Sequence, residues 1–106
     1  SIKGKNNVIN VITADQRLAL LQALVACNND ANQNILQTCL AQYGHSIGMD
    51  LVRNHMLWLE EQGLVRINRL DAGASELFVA TITQRGLDVA NGLSVVDGVK
   101  KPNPKY

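Results

Sequence analysis

Residues 52–65 have the sequence VRNHMLWLEEQGLV, in which apolar residues first recur at helical spacing and then follow one another directly. Val52, Met56 and Leu59 recur at helical spacing, which predicts one buried face of a helix over residues 49–62. Gly63 is suited to end that helix, because glycine adopts the left-handed conformation without strain. The apolar pair Leu64 and Val65 follows at once, so the helix is predicted to lead directly into a strand.

Two further helices are predicted before this segment. The first begins at Thr13, because Thr13 and Gln16 have the spacing of a capping box, and it carries an apolar stripe. It ends at a polar cluster over residues 28–30. The second helix runs from about Asn32 to Gly44. Its apolar positions are Ile35, Leu36, Cys39, Leu40 and Tyr43.

A β-hairpin and a short helix are predicted after it. Residues 64–68 and 77–82 are rich in strand formers, and residues 71–75 form a turn cluster between them. Thr83 is positioned to cap a last helix that Gly92 ends. The order of elements predicts a mainly α protein with a small β-hairpin, an α+β fold of the winged helix-turn-helix type.

The chain has 106 residues, which is the size of one domain. We expect an N-terminal arm over residues 1–12, the winged helix-turn-helix domain over residues 13–93, and an extended or disordered basic tail with two prolines over residues 94–106. No apolar run approaches the roughly 18 residues that a membrane span needs, and no signal-peptide pattern is present. These features predict a cytoplasmic protein that does not bind membranes.

Cys27 and Cys39 are the only cysteines in the sequence. Both fall on apolar helix faces, so we interpret them as small core residues of a reducing compartment. Their spacing permits a disulfide but does not require one.

The end of the predicted domain is similar to MarR-type and ArsR-type regulators, in which a strand leads into a capped helix, as residues 81–87 do here. The chain resembles more closely a family of small proteins encoded by Mu-like phages and prophages, over about residues 15–104. The positions that carry this resemblance are Arg17-Leu18, Leu21, Gly44-His45, Val52-Arg53, Trp58-Leu59, Gln62-Gly63-Leu64-Val65, Ala80-Thr81, Thr83, Arg85-Gly86-Leu87-Asp88-Val89-Ala90, Gly92 and Gly98-Val99-Lys100.

The resemblance implies a winged-helix domain and brings no assigned ligand or target. The sequence departs from the family pattern at the start of the third helix, where Gly48 and Met49 stand at positions often held by Ser and Arg. This departure removes a preferred helix cap and a cation from the face that would meet DNA.

The charges are distributed unevenly along the chain. Five Arg residues lie between residues 6 and 99, against nine Asp and Glu residues, so this body carries a net charge of −4, while five Lys residues lie in the two terminal segments. DNA-binding domains usually have a basic body. The charge pattern therefore weakens the prediction of DNA binding that the fold type favours.

Side chains near the start of the second motif helix reach base edges in a helix-turn-helix. The candidates here are Asp50, Arg53, Asn54 and Leu57. Arg reads guanine and Asn reads adenine through paired hydrogen bonds. The alternative interpretation is an ordinary solvated helix face. We interpret Glu60 and Glu61 as solvated, and their charges, like that of Asp50, oppose phosphate.

Further candidate phosphate contacts are Arg66 and Arg69 on the hairpin, and Lys100, Lys101 and Lys105 in the tail. As alternatives, the two arginines could protect an edge strand from aggregation, and the lysines could keep the protein soluble. His45 and His55 lie on different elements without a metal-ligand spacing, so we expect no metal site and no cofactor. No catalytic motif is present, and we expect no enzyme activity.

Two hypotheses about function follow. The first is a DNA-binding protein of a phage or prophage that regulates transcription or handles double-stranded DNA, and we expect it to act as a homodimer. The second is a module that keeps the winged-helix scaffold and binds a phage or host protein, or a second copy, through the apolar segment at residues 8–12.

Overall fold

The computed structural model describes residues 2–103, with side chains described for residue 8 and residues 10–103. In this range the helices and strands follow one another as α1 (Ile2–Ala26), β1 (Asp30–Asn32), α2 (Gln33–Gln42), α3 (Met49–Glu61), β2 (Val65–Asp71), β3 (Glu76–Ile82) and α4 (Gln84–Ala90). The predicted α+β class is confirmed. No helix within residues 2–103 combines the length and the apolar character that crossing a membrane requires.

The three strands form one antiparallel sheet in the order β1-β3-β2. The predicted hairpin is confirmed, and its register places Val65 opposite Ile82 and Asp71 opposite Glu76. β1 adds a third strand that the sequence did not predict, with Ala31 opposite Ala80. This arrangement is compatible with the winged helix-turn-helix that the sequence predicts.

The core lies between α1, α2, α3 and the inner face of the sheet. The predicted line of α3 is confirmed, because Val52, Met56 and Leu59 are fully buried. The predicted apolar face of α2 is too wide, since Ile35 and Tyr43 are each 47% exposed. The largest fully buried side chains include Leu20, Leu21, Leu24, Leu36, Leu40 and Leu64.

α1 begins well before the position that the sequence predicts. The helix starts at Ile2 and passes through Thr13, so the predicted cap at Thr13 is wrong, and the arm predicted for residues 1–12 is helical over residues 2–12. Gln16 is instead buried and lies 2.8 Å from Nε2 of His55 through its Oε1 atom. Gln16 therefore makes a buried contact within the helix and does not mark its start.

The C-terminal segment packs against the domain as far as the structure describes it, which corrects the expectation of an extended or disordered tail. Val96 and Val99 are each only 8% exposed. The backbone N–H of Lys100 donates to the carbonyl oxygen of Ala14 at 3.1 Å, and Arg17 Nη1 donates to that of Gly98 at 3.1 Å. Two buried apolar side chains and two hydrogen bonds to α1 thus hold this segment on the domain.

Gly98→Ala is expected to lower the free energy of unfolding by about 2 kcal/mol. Gly98 has a φ of +96°, and an added Cβ would lie 2.9 Å from Trp58 ring atoms and from Arg17 Nη1. The matched control is Gly73→Ala, because Gly73 has a φ of +83° with no atom within 4 Å of an added Cβ. The control retains only the left-handed strain, about 1 kcal/mol. Urea unfolding measures both, and equal losses would contradict the packing at Gly98.

Candidate nucleic-acid interface

α3 presents a mixed polar face opposite its buried line. The helix begins after Gly48, which makes no side-chain cap bond, and Asp50 lies in its first turn. Asp50, Leu51 and Asn54 are exposed. Leu57 is half-buried and packs against the core, so it reaches less far than the sequence suggested. Glu61, at the end of α3, is exposed as predicted, so the exposed positions of the helix combine two carboxylates, one amide and one apolar side chain.

Arg53 links α3 to the hairpin. Its guanidinium lies over the ring of Phe78 on β3, 4.1 Å from the ring centroid. Phe78 is buried, with 6% of its surface exposed, so it provides a fixed platform. Cation–π stacking occupies the flat face of a guanidinium and leaves the N–H groups at its edge available. Among the described residues no hydrogen bond or ion pair engages Arg53, and these donors are unused there.

Arg69 lies over the same ring but has a partner. Its guanidinium carbon is 5.3 Å from the Phe78 centroid, and its Nη2 and Nη1 atoms donate to the two carboxylate oxygens of Glu60 at 2.9 and 3.3 Å. The hydrogen bond from Arg69 lowers the pKa of Glu60. The interpretation of Glu60 as simply solvated is wrong. Arg69 is committed to this carboxylate and is less available to phosphate than Arg53.

The remaining candidate residues lie apart from Phe78. Arg66 is exposed on β2 and opposes Thr81, on the other face of the sheet from the Arg69–Phe78 pair. Lys100 and Lys101 are exposed in the C-terminal segment, where Lys100 Nζ lies 3.8 Å from Asp15 Oδ1. Lys105 lies outside the described residues. The structure thus brings Arg53 and Arg69 together around one ring and places Lys100 beside α1.

The two histidines contact α1 separately. His45 Nε2 lies 3.1 Å from Asp15 Oδ2 and is half-buried, whereas His55 is buried against Gln16. In the part of the chain that the structure describes, no three His, Cys, Asp or Glu side chains form a group that could hold a metal ion.

Phe78 is the residue of this region that the sequence analysis did not single out, and Glu60 was considered only as a solvated charge. The turn predicted over residues 71–75 would pair Leu70 with Glu76 and place Leu77 opposite Arg69, whereas the structure pairs Asp71 with Glu76 and places Phe78 there. The contact between Arg53 and Phe78 depends on how α3 packs on the sheet, which no local pattern encodes.

Comparison with known proteins gives two relatives. No protein-family profile matches the sequence, and no solved structure matches it. The chain is 46% identical over 96 residues to "Uncharacterized protein gp26" of Escherichia phage Mu, an alignment that spans 91% of this chain and 96% of that protein. It is 52% identical over 77 residues to an "Uncharacterized protein" of Haemophilus influenzae, spanning 73% of this chain and 72% of that one. The chain therefore belongs to the Mu-like phage protein family that includes gp26.

Proposed function

We propose that this chain is a winged helix-turn-helix protein that binds double-stranded DNA, with α3 in the major groove and the β2–β3 hairpin as the wing. The order of helices and strands supports this, as does the sheet order β1-β3-β2. α3 passes through Gly63 into β2, so a contact made by the helix and one made by the hairpin are mechanically linked.

The observation that carries the proposal is the stacking of Arg53 on Phe78. A guanidinium fixed on a buried ring loses less conformational freedom when it binds, and its edge donors match guanine O6 and N7 or a phosphate. Asn54, the next residue, is exposed and offers the amide that pairs with adenine. Both side chains lie in the first half of α3, the part of a recognition helix that reaches base edges.

The charge of the body sets the strength of this binding. A net charge of −4 over residues 6–99 opposes the DNA phosphates, and Asp50 lies on the same helix as Arg53. Arg66 on the hairpin supplies an exposed cation for the backbone. A single copy therefore binds weakly, and a homodimer that doubles these contacts supplies usable affinity.

A titration on random duplex DNA at several salt concentrations tests the proposal. We expect binding at about 20 mM salt that weakens as salt rises, with a log–log slope of about −0.9 for each phosphate contacted. The absence of binding at about 20 mM salt, with the fold intact by circular dichroism, would overturn it.

Arg53→Ala is expected to weaken DNA binding about tenfold, because one positioned guanidinium is worth about 1–3 kcal/mol in such contacts. The matched control is Arg85→Ala, which removes the same charge from an exposed position on α4, outside α3 and the hairpin. Fluorescence anisotropy on one duplex measures both variants. Equal losses would indicate that net charge alone matters, and an unchanged affinity for Arg53→Ala would remove it from the interface.

A second candidate function is a protein-binding module on the same scaffold. It is favoured by the exposure of Val8, Val11 and Ile12 on α1, which are 60%, 62% and 49% exposed. These positions recur at helical spacing and form one apolar surface, of the kind that pairs with another helix. A folded protein that binds no DNA at low salt but associates with itself or with a phage or host protein would support this function instead.

A further inference from the structure

A cleft lies between the middle of α1 and the C-terminal segment that packs on the domain. Its volume is about 700 Å³, within the range of small-molecule pockets. α1 lines the cleft with the apolar side chains of Val11 and Ala14 and with the hydroxyl-bearing Thr13, and the C-terminal segment lines it with Gly98 and Lys100. The cleft therefore combines an apolar wall with polar and charged groups.

The guanidinium of Arg17 also lines this cleft and is held there by two contacts. Its Cζ atom lies over the Trp58 ring, 3.7 Å from the ring centroid, and its Nη1 atom donates to the carbonyl oxygen of Gly98 at 3.1 Å. The hydrogen bond is exposed to solvent, so a molecule in the cleft can reach this end of the side chain. Because stacking fixes the plane of the guanidinium, Arg17 loses little freedom when its remaining N–H groups bind an oxyanion.

No carboxylate balances the charge of Arg17 among the described residues. The ion pairs in that part of the chain engage His45, Lys100 and Arg69. The Nε atom of Arg17 is enclosed and has no hydrogen-bond partner in the structure. A cation that has lost part of its hydration to a ring and to backbone is stabilised by an opposite charge close to it. Arg17 therefore favours an anion in the cleft.

The charges that line the cleft indicate which anion fits. Arg17 and Lys100 are the cations and Asp97 is the carboxylate, so the lining carries a net charge of one positive unit. Lys100 is held only loosely elsewhere, with 3.8 Å between its Nζ atom and Asp15 Oδ1. One carboxylate neutralises this lining and matches the planar edge of a guanidinium, whereas a phosphate dianion would exceed it. The apolar wall favours a ligand with an apolar body.

We propose that this cleft binds a small organic monocarboxylate. Its carboxylate contacts Arg17 and Lys100, and its apolar body lies against Val11 and Ala14. Such a ligand bridges α1 and the C-terminal segment. The proposal rests on this cleft and not on Arg53 or the hairpin, so it stands or falls separately from DNA binding.

Hexanoate is the probe that tests the proposal, because it joins one carboxylate to a short apolar chain. The full chain, labelled with ¹⁵N, is titrated at neutral pH and constant ionic strength and followed by NMR. We expect saturable shifts of the Gly98 and Lys100 amide signals and of the indole signal of Trp58, the only tryptophan in the sequence, with a Kd of about 1 mM. The absence of saturable shifts at these three signals up to about 20 mM hexanoate would overturn the proposal.

Hexanol, acetate and inorganic phosphate test the class of ligand. Hexanol lacks the charge, acetate lacks the apolar chain, and phosphate differs in charge and shape. We expect each of them to bind at least about tenfold more weakly than hexanoate. Hexanol that binds as tightly as hexanoate would overturn the recognition of an anion. Acetate or phosphate that binds as tightly would overturn the assignment to a carboxylate with an apolar body.

Lys100→Gln and Lys101→Gln form a matched pair of variants. Both remove one exposed lysine from neighbouring positions, but only Lys100 lines the cleft. We expect Lys100→Gln to weaken hexanoate binding about threefold and Lys101→Gln to leave it unchanged. Equal losses would show that net charge alone attracts hexanoate and would overturn the site.

Arg17→Gln is expected to abolish saturable binding of hexanoate, with circular dichroism checking that the variant is folded. A folded Arg17→Gln protein that binds hexanoate as the original does would also overturn the proposal. The lysine pair and the ligand series decide the proposal even where Arg17→Gln does not fold.

Discussion

Gly86→Ala is expected to lower the free energy of unfolding by about 3 kcal/mol. A Cβ at Gly86 would overlap the carbonyl oxygen of Leu64 and lie 2.7 Å from Cγ1 of Ile82. In an exposed helix the same substitution stabilises by about 1 kcal/mol, because alanine favours the helical conformation. The sign of the effect is therefore decided by the packing of α4 on the backbone at Leu64.

The backbone at Leu64 has little freedom to move away. Its carbonyl oxygen accepts the N–H of Thr83 at 3.0 Å, and the Thr83 hydroxyl donates to the carbonyl oxygen of Gly63 at 2.7 Å. The same hydroxyl accepts the N–H of Gly86 at 3.1 Å as the cap of α4. Relief of the overlap requires α4 to shift as a unit, which breaks these three bonds or strains them.

Urea unfolding followed by circular dichroism measures this loss. Arg85→Ala is the control, because Arg85 is the adjacent exposed residue of α4, and we expect it to change stability by less than about 0.5 kcal/mol. A Gly86→Ala protein as stable as the original would show that α4 does not approach Leu64 as closely as the structure has it.

Sequence patterns a few residues long predicted the elements whose structure depends on residues close together in the chain. The apolar line of α3, the end of that helix before Gly63 and the two hairpin strands follow from spacing and turn chemistry within a few residues. The Thr83 cap was likewise predictable, since its hydroxyl accepts a hydrogen bond from a residue three positions later.

Elements that depend on distant partners could not be predicted in this way. β1 is three residues long and exists because Ala31 pairs with Ala80, far along the chain. The segment around Val96 and Val99 carries too few apolar residues to indicate packing, yet both side chains are buried and the segment forms hydrogen bonds with Ala14 and Arg17 of α1. The start of α1 was predicted wrongly because Thr13 and Gln16 have the spacing of a capping box. In the structure Gln16 instead forms a hydrogen bond with His55.

In the candidate site, too, some features follow from the local sequence and others depend on tertiary packing. The residue types on α3 and the hairpin were evident from the sequence. The register was not, because the turn predicted over residues 71–75 is one residue longer than the observed one, which pairs Arg69 with Phe78. Two contacts depend on how α3 packs on the sheet. Arg53 lies over the Phe78 ring, and Glu60 forms an ion pair with Arg69. The sequence therefore identified candidate cations but did not indicate which of them is free to bind a phosphate.

The free energy of unfolding is expected to fall by about 3 kcal/mol as the pH drops through the range from 6.5 to 4, because of His55. His55 is 3% exposed, and its Nε2 lies 2.8 Å from Gln16 Oε1. Burial, with added repulsion from Arg17 and His45, lowers the pKa of His55 from 6.5 to about 4. The imidazole is thus neutral in the folded protein and donates its Nε2 proton to the amide oxygen.

The sign follows from proton binding. In the unfolded chain His55 binds a proton below pH 6.5, whereas in the folded protein it binds one only below about pH 4. Lowering the pH through this range therefore favours unfolding. The stabilisation is fully present above pH 6.5, falls through this window and levels off below pH 4. Most of the loss lies above pH 4.5, the ordinary pKa of Glu60, so the Glu60–Arg69 pair contributes little to it.

Urea unfolding at a series of pH values from 7.5 to 4.5 measures this dependence, and two histidine variants assign it. His55→Gln is expected to remove most of the slope, at the cost of lower stability at neutral pH. His45→Gln is the matched control, because His45 is half-buried and its Nε2 lies 3.1 Å from Asp15 Oδ2, apart from the buried contact between His55 and Gln16. A slope that persists in His55→Gln and disappears in His45→Gln would place the acid sensitivity at the ion pair on α1 rather than at the buried imidazole.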